Sequence, residues 1–240
     1  MPSRTAAHTR TNASFTAAVE KRLLIWIASR LPPWITSDTL STIGLAAMAA
    51  AGLSFAAFRW TPWAAAGVVV SLAANWFGDS LDGTVARVRR QERPRFGYYV
   101  DHVIDLAGTT LLMAGVACSG VMHPLLALAV LAAYLLVSAE SYLTTHAAGV
   151  FCMSFAGFGP TELRIVLAIG AIKAASSTSV ELFGGPTVRL FDAGGVVAAI
   201  GLAIAFAAAA VRNTRALHRA EPAPRAGAAI EGGIPRASVA

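Results

Sequence analysis

Four aspartates lie close together near the middle of the sequence, within stretches that are otherwise apolar. Asp79 and Asp82 are three positions apart and Asp101 and Asp105 are four apart, so each pair lies on one face of a helix. If the two helices are antiparallel neighbours joined by the short intervening loop, the pairs face each other at similar depth. Carboxylates are costly in hydrocarbon, so such a cluster requires cations, and carboxylate oxygens suit magnesium or manganese better than zinc or copper.

The helices that carry these aspartates must lie in an apolar scaffold, and the composition provides one. The chain has 240 residues, of which 56% are hydrophobic and 13% charged, and its mean hydropathy is +0.61. These values are too apolar for an ordinary soluble domain. Apolar stretches recur at about the 20 residues that a helix needs to cross hydrocarbon. We therefore predict an all-α, polytopic membrane protein.

The charge and the cysteines argue against other classes of protein. The net charge is +6 and the isoelectric point is near 10.0, but the arginines lie between apolar stretches and no basic platform interleaved with aromatic residues is present. We therefore expect membrane lipids, and no nucleic acid, as partners. Cys118 and Cys152 follow neither a disulfide nor a zinc pattern, and we interpret both as small apolar residues.

The predicted organisation is an N-terminal interfacial amphipathic helix followed by six transmembrane helices. Residues 1–13 and 213–240 are predicted to be disordered tails, because polar and small residues dominate them. Residues 14–33 carry apolar side chains at helical spacing until Pro32-Pro33, and residues 34–212 form the membrane domain. The six spans are predicted at residues 40–58, 63–86, 96–119, 124–143, 161–180 and 188–211.

The arginines predict the orientation of these spans. An even number of spans places both termini on one side, and positive charge after the second and sixth spans predicts that this side is the cytoplasm. The residues concerned are Arg87, Arg89, Arg90, Arg93, Arg95, Arg212, Arg215 and Arg219. The aspartates then face the cytoplasm. The composition, rich in alanine and arginine, is typical of a bacterial protein, so we expect an inner (cytoplasmic) membrane location.

The residues around the aspartates form a longer motif. It reads Asp79-Ser-Leu-Asp82-Gly83-Thr-Val-Ala86-Arg87, followed by Gly97-Tyr-Tyr-Val-Asp101-His-Val-Ile-Asp105. This closely resembles the D-x2-D-G-x2-A-R…G-x3-D-x3-D signature of the CDP-alcohol phosphotransferase family, class I. Nine residues separate Arg87 from Gly97 where the resemblance leads one to expect about eight, and a charged loop containing Pro94 tolerates such an insertion.

The resemblance implies roles for these positions. Asp79 and Asp101 would bridge two metal ions, Mg²⁺ or Mn²⁺, while Asp82 holds one ion and Asp105 holds the other or acts as base. The CDP-linked substrate would contact two groups of residues. These are Gly83, Ala86, Arg87 and Gly97 of the motif, and Ser37, Asp38 and Thr39 in a segment that resembles the family's loop before span one, with Ser37-Asp38 in place of Pro-Asn. The resemblance also implies a homodimer.

A second polar set lies at the predicted cytoplasmic ends of spans four and five. Glu140, Glu162 and Arg164 are candidates for contacts with the acceptor alcohol, and the alternative is that they are capping or interfacial charges. Gly159-Pro160-Thr161-Glu162 resembles a string in the choline and ethanolamine phosphotransferase branch, where an acidic group faces a cationic alcohol. Asp192 and His123, at the opposite end, are interpreted as structural.

We therefore predict a metal-dependent transferase of phospholipid biosynthesis. It would move a phosphatidyl group from a CDP-linked lipid donor, CDP-diacylglycerol, to an alcohol acceptor and release CMP. The first alternative is the reverse arrangement, in which CDP-choline or CDP-ethanolamine is soluble and the acceptor alcohol is a lipid. Further alternatives are a divalent-cation transporter, an ion-paired structural cluster and an inactive lipid-binding relative.

Overall fold

The computed structural model describes residues 17–148, 160–181 and 185–221. Within these ranges the chain forms seven α-helices and one antiparallel hairpin. The helices are α1 (Ala17–Ala28), α2 (Ser37–Ala56), α3 (Ala64–Val88), α4 (Pro94–Ser119), α5 (Pro124–Ala148), α6 (Pro160–Ser176) and α7 (Leu190–Ala220). The strands are β1 (Ser179–Glu181) and β2 (Thr187–Arg189), and Val180 pairs with Val188. Residues 1–13 and most of the second predicted tail lie outside the described residues.

Helices α2, α3 and α4 pack against one another at the centre of the bundle, and glycines allow their backbones to meet. A Cβ atom on Gly115 of α4 would lie 2.0 Å from the carbonyl oxygen of Gly52 on α2. A Cβ atom on Gly78 of α3 would lie 2.6 Å from the carbonyl oxygen of Leu40 on α2. Only glycine permits these approaches. Helices α3 and α4, which carry the motif, therefore form one closely packed unit with α2.

The ends of the helices follow from local sequence. Thr36 caps α2, since its hydroxyl accepts a hydrogen bond from the backbone N–H of Thr39 at 3.2 Å. Pro94 occupies the first turn of α4, where its missing N–H costs nothing. That helix ends at Gly120, whose φ of 80° is the left-handed conformation that favours glycine.

Helices α5, α6 and α7 complete the bundle, and their contacts at the end that holds the hairpin are specific. The backbone N–H of His123, just before α5, donates to Asp192 of α7 at 2.6 Å. The ring of Phe191 meets the ring of Phe55 edge to face, with centroids 5.6 Å apart. The first contact agrees with the structural role predicted for Asp192 and His123. We call this end of the bundle the hairpin end.

Helix α1 lies across the opposite end, where Leu24 and Ala28 are buried against Leu40, Leu81 and Val85. It ends at Ala28, earlier than the predicted boundary at residue 33. The reason is visible in the turn that follows. The guanidinium of Arg89 donates to the carbonyl oxygens of Leu31, Pro32, Pro33 and Ile35, which holds this stretch as a turn.

The helical membrane-type fold is confirmed, with corrections to the spans. Five helices among the described residues are long and apolar enough to cross a membrane, namely α2 with the 3₁₀ turn that follows it, α3, α4, α5 and α7. Helix α6 has 17 residues and ends at Ser176, so the predicted span 161–180 ends in the β-hairpin and its crossing stays a prediction. Helix α7 continues to Ala220, so residues 213–220 are helical and not a disordered tail.

Candidate metal centre and substrate site

The loop between α3 and α4 sets the depth of the aspartates. Helix α3 ends at Val88 and α4 begins at Pro94, and Arg90 in the turn has a φ of 56°. At about 1.5 Å of rise per residue, Asp82 lies about 9 Å before the end of α3 and Asp101 about 10 Å after the start of α4. The extra residue in this loop therefore leaves the pairs at matching depth. We call this end of the bundle the aspartate end.

The structure brings the four aspartates within electrostatic reach of one another. Asp105 interacts electrostatically with Asp79, Asp101 and Asp82, and with the guanidinium of Arg164. Asp82 in turn interacts with Asp79 and Asp101. The facing pairs predicted from helical spacing therefore form a single carboxylate cluster between α3 and α4.

Asp82 is held by two hydrogen bonds. The hydroxyl of Ser41 on α2 donates to Oδ2 at 2.6 Å, and the backbone N–H of Gly83 donates to Oδ1 at 2.5 Å. Ser41 was missed by sequence reasoning, because the contact spans 41 positions of the chain. Its only signal was a hydroxyl within the first turns of an apolar span.

Asp79 is held by a chain of contacts that links three helices. Nη2 of Arg164 on α6 donates to its Oδ2 at 2.5 Å, and Nε of the same guanidinium donates to Oδ1 of Asn75 at 2.7 Å. The amide nitrogen of Asn75 donates to the carbonyl oxygen of Gly44 on α2 at 3.0 Å. Arg164, predicted as an acceptor contact, thus binds a predicted metal ligand. Sequence reasoning missed Asn75, although an amide side chain in an apolar stretch, one turn before Asp79, indicated a polar contact.

Asp101 and its neighbour differ in exposure. The side chain of Asp101 is 42% exposed, whereas that of His102 is 10% exposed. The imidazole of His102 lies between the rings of Tyr98 and Tyr142, with centroids 4.1 Å and 4.9 Å away. His102 therefore packs α4 against α5.

The wall beside Asp105 is formed by α5. The hydroxyl of Tyr134 interacts with the side chains of Thr109, one turn along α4 from Asp105, and of Ser138 on its own helix. Tyr134 also interacts electrostatically with Asp105. The aspartate cluster therefore has a polar aromatic wall on the α5 side, which helical spacing in the sequence did not reveal.

An open cavity of about 430 Å³ lies at the rim of the aspartate end. It is lined by Thr36, Ser37, Asp38, Gln91, Glu92 and Arg93. Ser37, Asp38 and Thr39 were predicted to lie in a loop, but they form the first turn of α2 because Thr36 caps it. The guanidinium of Arg93 forms a salt bridge with the carboxylate of Asp38 at this cavity. Arg93 therefore makes a specific contact, in addition to the positive charge from which the orientation was predicted.

The remaining motif residues are Gly83, Ala86 and Arg87 on α3 and Gly97 on α4. Nη2 of Arg87 donates to the hydroxyl of Thr84 at 3.1 Å, and a Cβ atom on Gly83 would meet the guanidinium of Arg87 at 3.4 Å. Ala86 is half-buried, and a Cβ atom on Gly97 would meet nothing within 4 Å. The predicted substrate-binding role of these residues stays a prediction.

The second polar set divides in two. Glu140 accepts hydrogen bonds from Asn213 of α7 at 2.7 Å and from Thr144 at 2.8 Å, so it joins α5 to α7. Glu162 lies in the first turn of α6, in the same segment as Arg164. The structure therefore brings Arg164 to the aspartates and directs Glu140 to a contact between helices.

The chemistry of the donor set fits divalent metal, whereas the present orientation of the carboxylates does not converge on one point. Four hard carboxylate oxygen donors in one cluster suit Mg²⁺ or Mn²⁺. Among the described residues, no three His, Cys, Asp or Glu side chains are arranged to hold an ion as they stand. Asp79 is directed to Arg164 and Asp82 to Ser41. Ser41 thus orients Asp82, whereas Arg164 occupies an oxygen of Asp79 that an ion would use.

The fold and the cluster together define a helical membrane protein with a carboxylate site between its second and third long helices. The family model described as CDP-alcohol phosphatidyltransferase matches residues 34–211, and the chain belongs to this family. The family prediction is confirmed, and with it membership of a class of transferases that act on CDP-alcohols.

One solved structure with the same fold is the phosphatidylinositol phosphate synthase of Mycobacterium tuberculosis, in a crystal structure with CDP-DAG bound. The two chains share 20% sequence identity with a TM-score of 0.52, and the match covers 82% of this chain and 92% of that one. No curated protein matches the chain in sequence.

Proposed function

We propose that this enzyme transfers a phosphatidyl group from CDP-diacylglycerol to an alcohol and releases CMP. The observation that carries the proposal is the cluster of Asp79, Asp82, Asp101 and Asp105 within the region that matches the family model. A lipid-linked donor suits its position, because the cluster lies within apolar helices, about 9 to 17 Å from their ends at about 1.5 Å per residue. The M. tuberculosis synthase of the same fold has CDP-DAG bound.

The alternative donor, CDP-choline or CDP-ethanolamine, has less support. It drew on Glu162 of the Gly-Pro-Thr-Glu string, and Glu162 lies in the first turn of α6, two residues before Arg164. At the same end of the bundle, Arg164 presents a positive charge beside the cluster. A positive charge disfavours a cationic alcohol and favours an anionic or neutral one.

The four aspartates are proposed to hold Mg²⁺ or Mn²⁺, with two ions in total. When bound, the ions would supply a clamp for the pyrophosphate and offset the negative charge on the departing CMP. Asp105 is proposed to accept the proton of the acceptor hydroxyl. The hydroxyl oxygen then bonds to the β-phosphorus, and the bond from that phosphorus to the bridging oxygen of CMP breaks. Arg87, whose guanidinium lies beside Gly83, would bind a phosphate oxygen.

The proposed orientation places the aspartate end in the cytoplasm. Arg87, Arg89, Arg90, Arg93 and Arg95 lie at this end in the sequence around the α3–α4 turn, and α7 carries Arg212, Arg215 and Arg219 to the same end. Such an excess of positive charge favours the cytoplasmic side. Both termini would then be cytoplasmic and the protein would lie in the inner membrane. A homodimer is proposed on the family resemblance.

The test is CMP release by the purified protein in phosphatidylcholine nanodiscs. Radiolabelled CDP-diacylglycerol with Mg²⁺ and a panel of water-soluble alcohols is compared with radiolabelled CDP-choline with Mg²⁺ and diacylglycerol. We expect a labelled phospholipid only in the first set. Asp105→Asn should reduce CMP release at least about 100-fold, because a general base contributes about 10² to 10⁴. The matched control is Asp192→Asn at the hairpin end, which should leave release unchanged. Full turnover by Asp105→Asn would contradict the assigned role.

A further inference from the structure

Arg164 is the feature of this site that the proposed reaction leaves unexplained. Its side chain is 15% exposed, and it lies beside Asp79, whose side chain is 29% exposed. One edge of the guanidinium, formed by Nε and Nη2, bridges Asn75 and Asp79, which lie one turn apart on α3. A planar guanidinium that makes two such bonds is fixed in direction as well as in position.

Asn75 fixes the direction of the guanidinium because its own side chain is held in place. Its own side chain is 6% exposed, and its amide nitrogen is held by the carbonyl oxygen of Gly44. The amide oxygen is therefore directed at Nε of Arg164, and a rotated amide would present a donor to a donor. A chain of hydrogen bonds therefore runs from Gly44 on α2 through Asn75 on α3 to Arg164 on α6. The guanidinium of Arg164 then donates to a single oxygen of Asp79.

The position of this charge matters for cation binding. Asp79 interacts electrostatically with Asp82 and Asp105, so the guanidinium lies within the same carboxylate cluster that is proposed to bind metal. A divalent cation that binds Asp79 must either displace the guanidinium from Oδ2 or lie close to it. Two positive charges a few ångströms apart in a partly buried site repel strongly. The present direction of Asp79, toward Arg164, also contributes to the lack of convergence among the carboxylates.

We propose that Arg164 is a positioning residue that acts as a built-in counter-ion of Asp79, is aligned by Asn75, and competes with divalent metal for this carboxylate. The inference rests on the proposed metal dependence of the reaction. The consequence is a reduced metal affinity in the wild-type protein, together with a carboxylate cluster that is partly neutralised before metal binds. The guanidinium released from Asp79 would remain beside the cluster, where phosphate oxygens of the substrate would be its next partner.

The test measures metal affinity directly, without nucleotide or catalysis. Purified protein in phosphatidylcholine nanodiscs is titrated with Mn²⁺, and unbound Mn²⁺ is followed by its electron paramagnetic resonance signal. Arg164→Gln removes the charge and should bind Mn²⁺ about tenfold more tightly. Arg164→Lys keeps the charge but loses the two-bond edge, and its affinity should stay within about threefold of the wild type. The control is Arg215→Gln, which removes the same charge at an exposed position of α7 and should not change the affinity for Mn²⁺.

The outcomes separate this inference from the proposed function. Unchanged or weaker Mn²⁺ binding by Arg164→Gln, in a wild type that releases CMP with metal, would overturn the counter-ion role alone. Absence of both Mn²⁺ binding and CMP release in the wild type would overturn the two together. If Arg164→Gln fails to fold, Asn75→Ser provides the test. This variant retains Arg164 but removes the amide oxygen that accepts a hydrogen bond from its Nε. This variant should bind Mn²⁺ about threefold more tightly, because a loosened guanidinium competes less well, and unchanged affinity would refute the inference.

Discussion

Gly115→Ala tests whether the contact between α2 and α4 positions the site. The new Cβ atom would lie 2.0 Å from the carbonyl oxygen of Gly52 and 2.3 Å from its carbonyl carbon. Carbon and oxygen atoms in close backbone contacts are about 3.3 Å apart, so the two helices must separate by about 1.3 Å. Overpacking of this kind costs about 3 kcal/mol, and the better helix propensity of alanine returns about 1 kcal/mol. We therefore expect a loss of about 2 kcal/mol in the free energy of unfolding.

Thermal unfolding and CMP release are the assays for this variant. A loss of about 2 kcal/mol lowers Tm by about 4 to 8 °C in a chain of this size. Since α4 also carries Asp101 and Asp105, a misplacement of about 1 Å should lower activity more than about tenfold. The matched control is Gly201→Ala on α7, where a Cβ atom meets nothing within 4 Å and Tm should not fall. An unchanged Tm and full activity in Gly115→Ala would refute the reasoning.

Two further substitutions test contacts around the site. Ser41→Ala removes the hydroxyl that holds Asp82, and a lost supporting contact of this type should weaken Mn²⁺ binding about tenfold in the same titration. Ser41→Thr retains the hydroxyl and should not, so equal affinities of the two variants would contradict the prediction. Arg89→Ala removes the donors that close the turn between α1 and α2, and trypsin should cut after Arg30 at least about tenfold faster, because hydrogen bonds to a charged group are worth about 1.5–3 kcal/mol. Arg95→Ala should not change the cleavage rate, and equal rates for both variants would show that Arg89 does not close the turn.

The parts of the fold predicted well from the sequence are those fixed by local spacing. The apolar lengths predicted the starts of α4 and α5 within two residues, because Pro94 and Pro124 begin these helices. The i,i+3 and i,i+4 spacing of the aspartates predicted that the members of each pair share one helix face, and the short loop between the helices predicted that the two pairs face each other. The end of α6 was missed because a short β-hairpin depends on pairing between Val180 and Val188, which apolar composition does not reveal.

The partners of the aspartates were missed for a different reason. Ser41 and Asp82 are 41 positions apart and Arg164 and Asp79 are 85 apart, and no periodicity relates them. Packing decides which helices become neighbours and so which of these residues meet. At Gly52 and Gly115 the small size of glycine allows the close approach of α2 and α4. A sequence motif therefore identifies ligands more readily than the residues that orient them.

This difference bears on where acceptor specificity lies. The motif residues lie on α3 and α4, whereas the charge beside Asp79 comes from Arg164 at the start of α6. Glu140, the other candidate on α5, is engaged by Asn213. On the proposed function, the motif on α3 and α4 handles the CDP-linked group, so acceptor recognition is proposed for elements outside the motif. We therefore expect substitutions in the first turns of α6, at Glu162 and Arg164, to alter the choice of alcohol without changing the proposed CDP-linked donor.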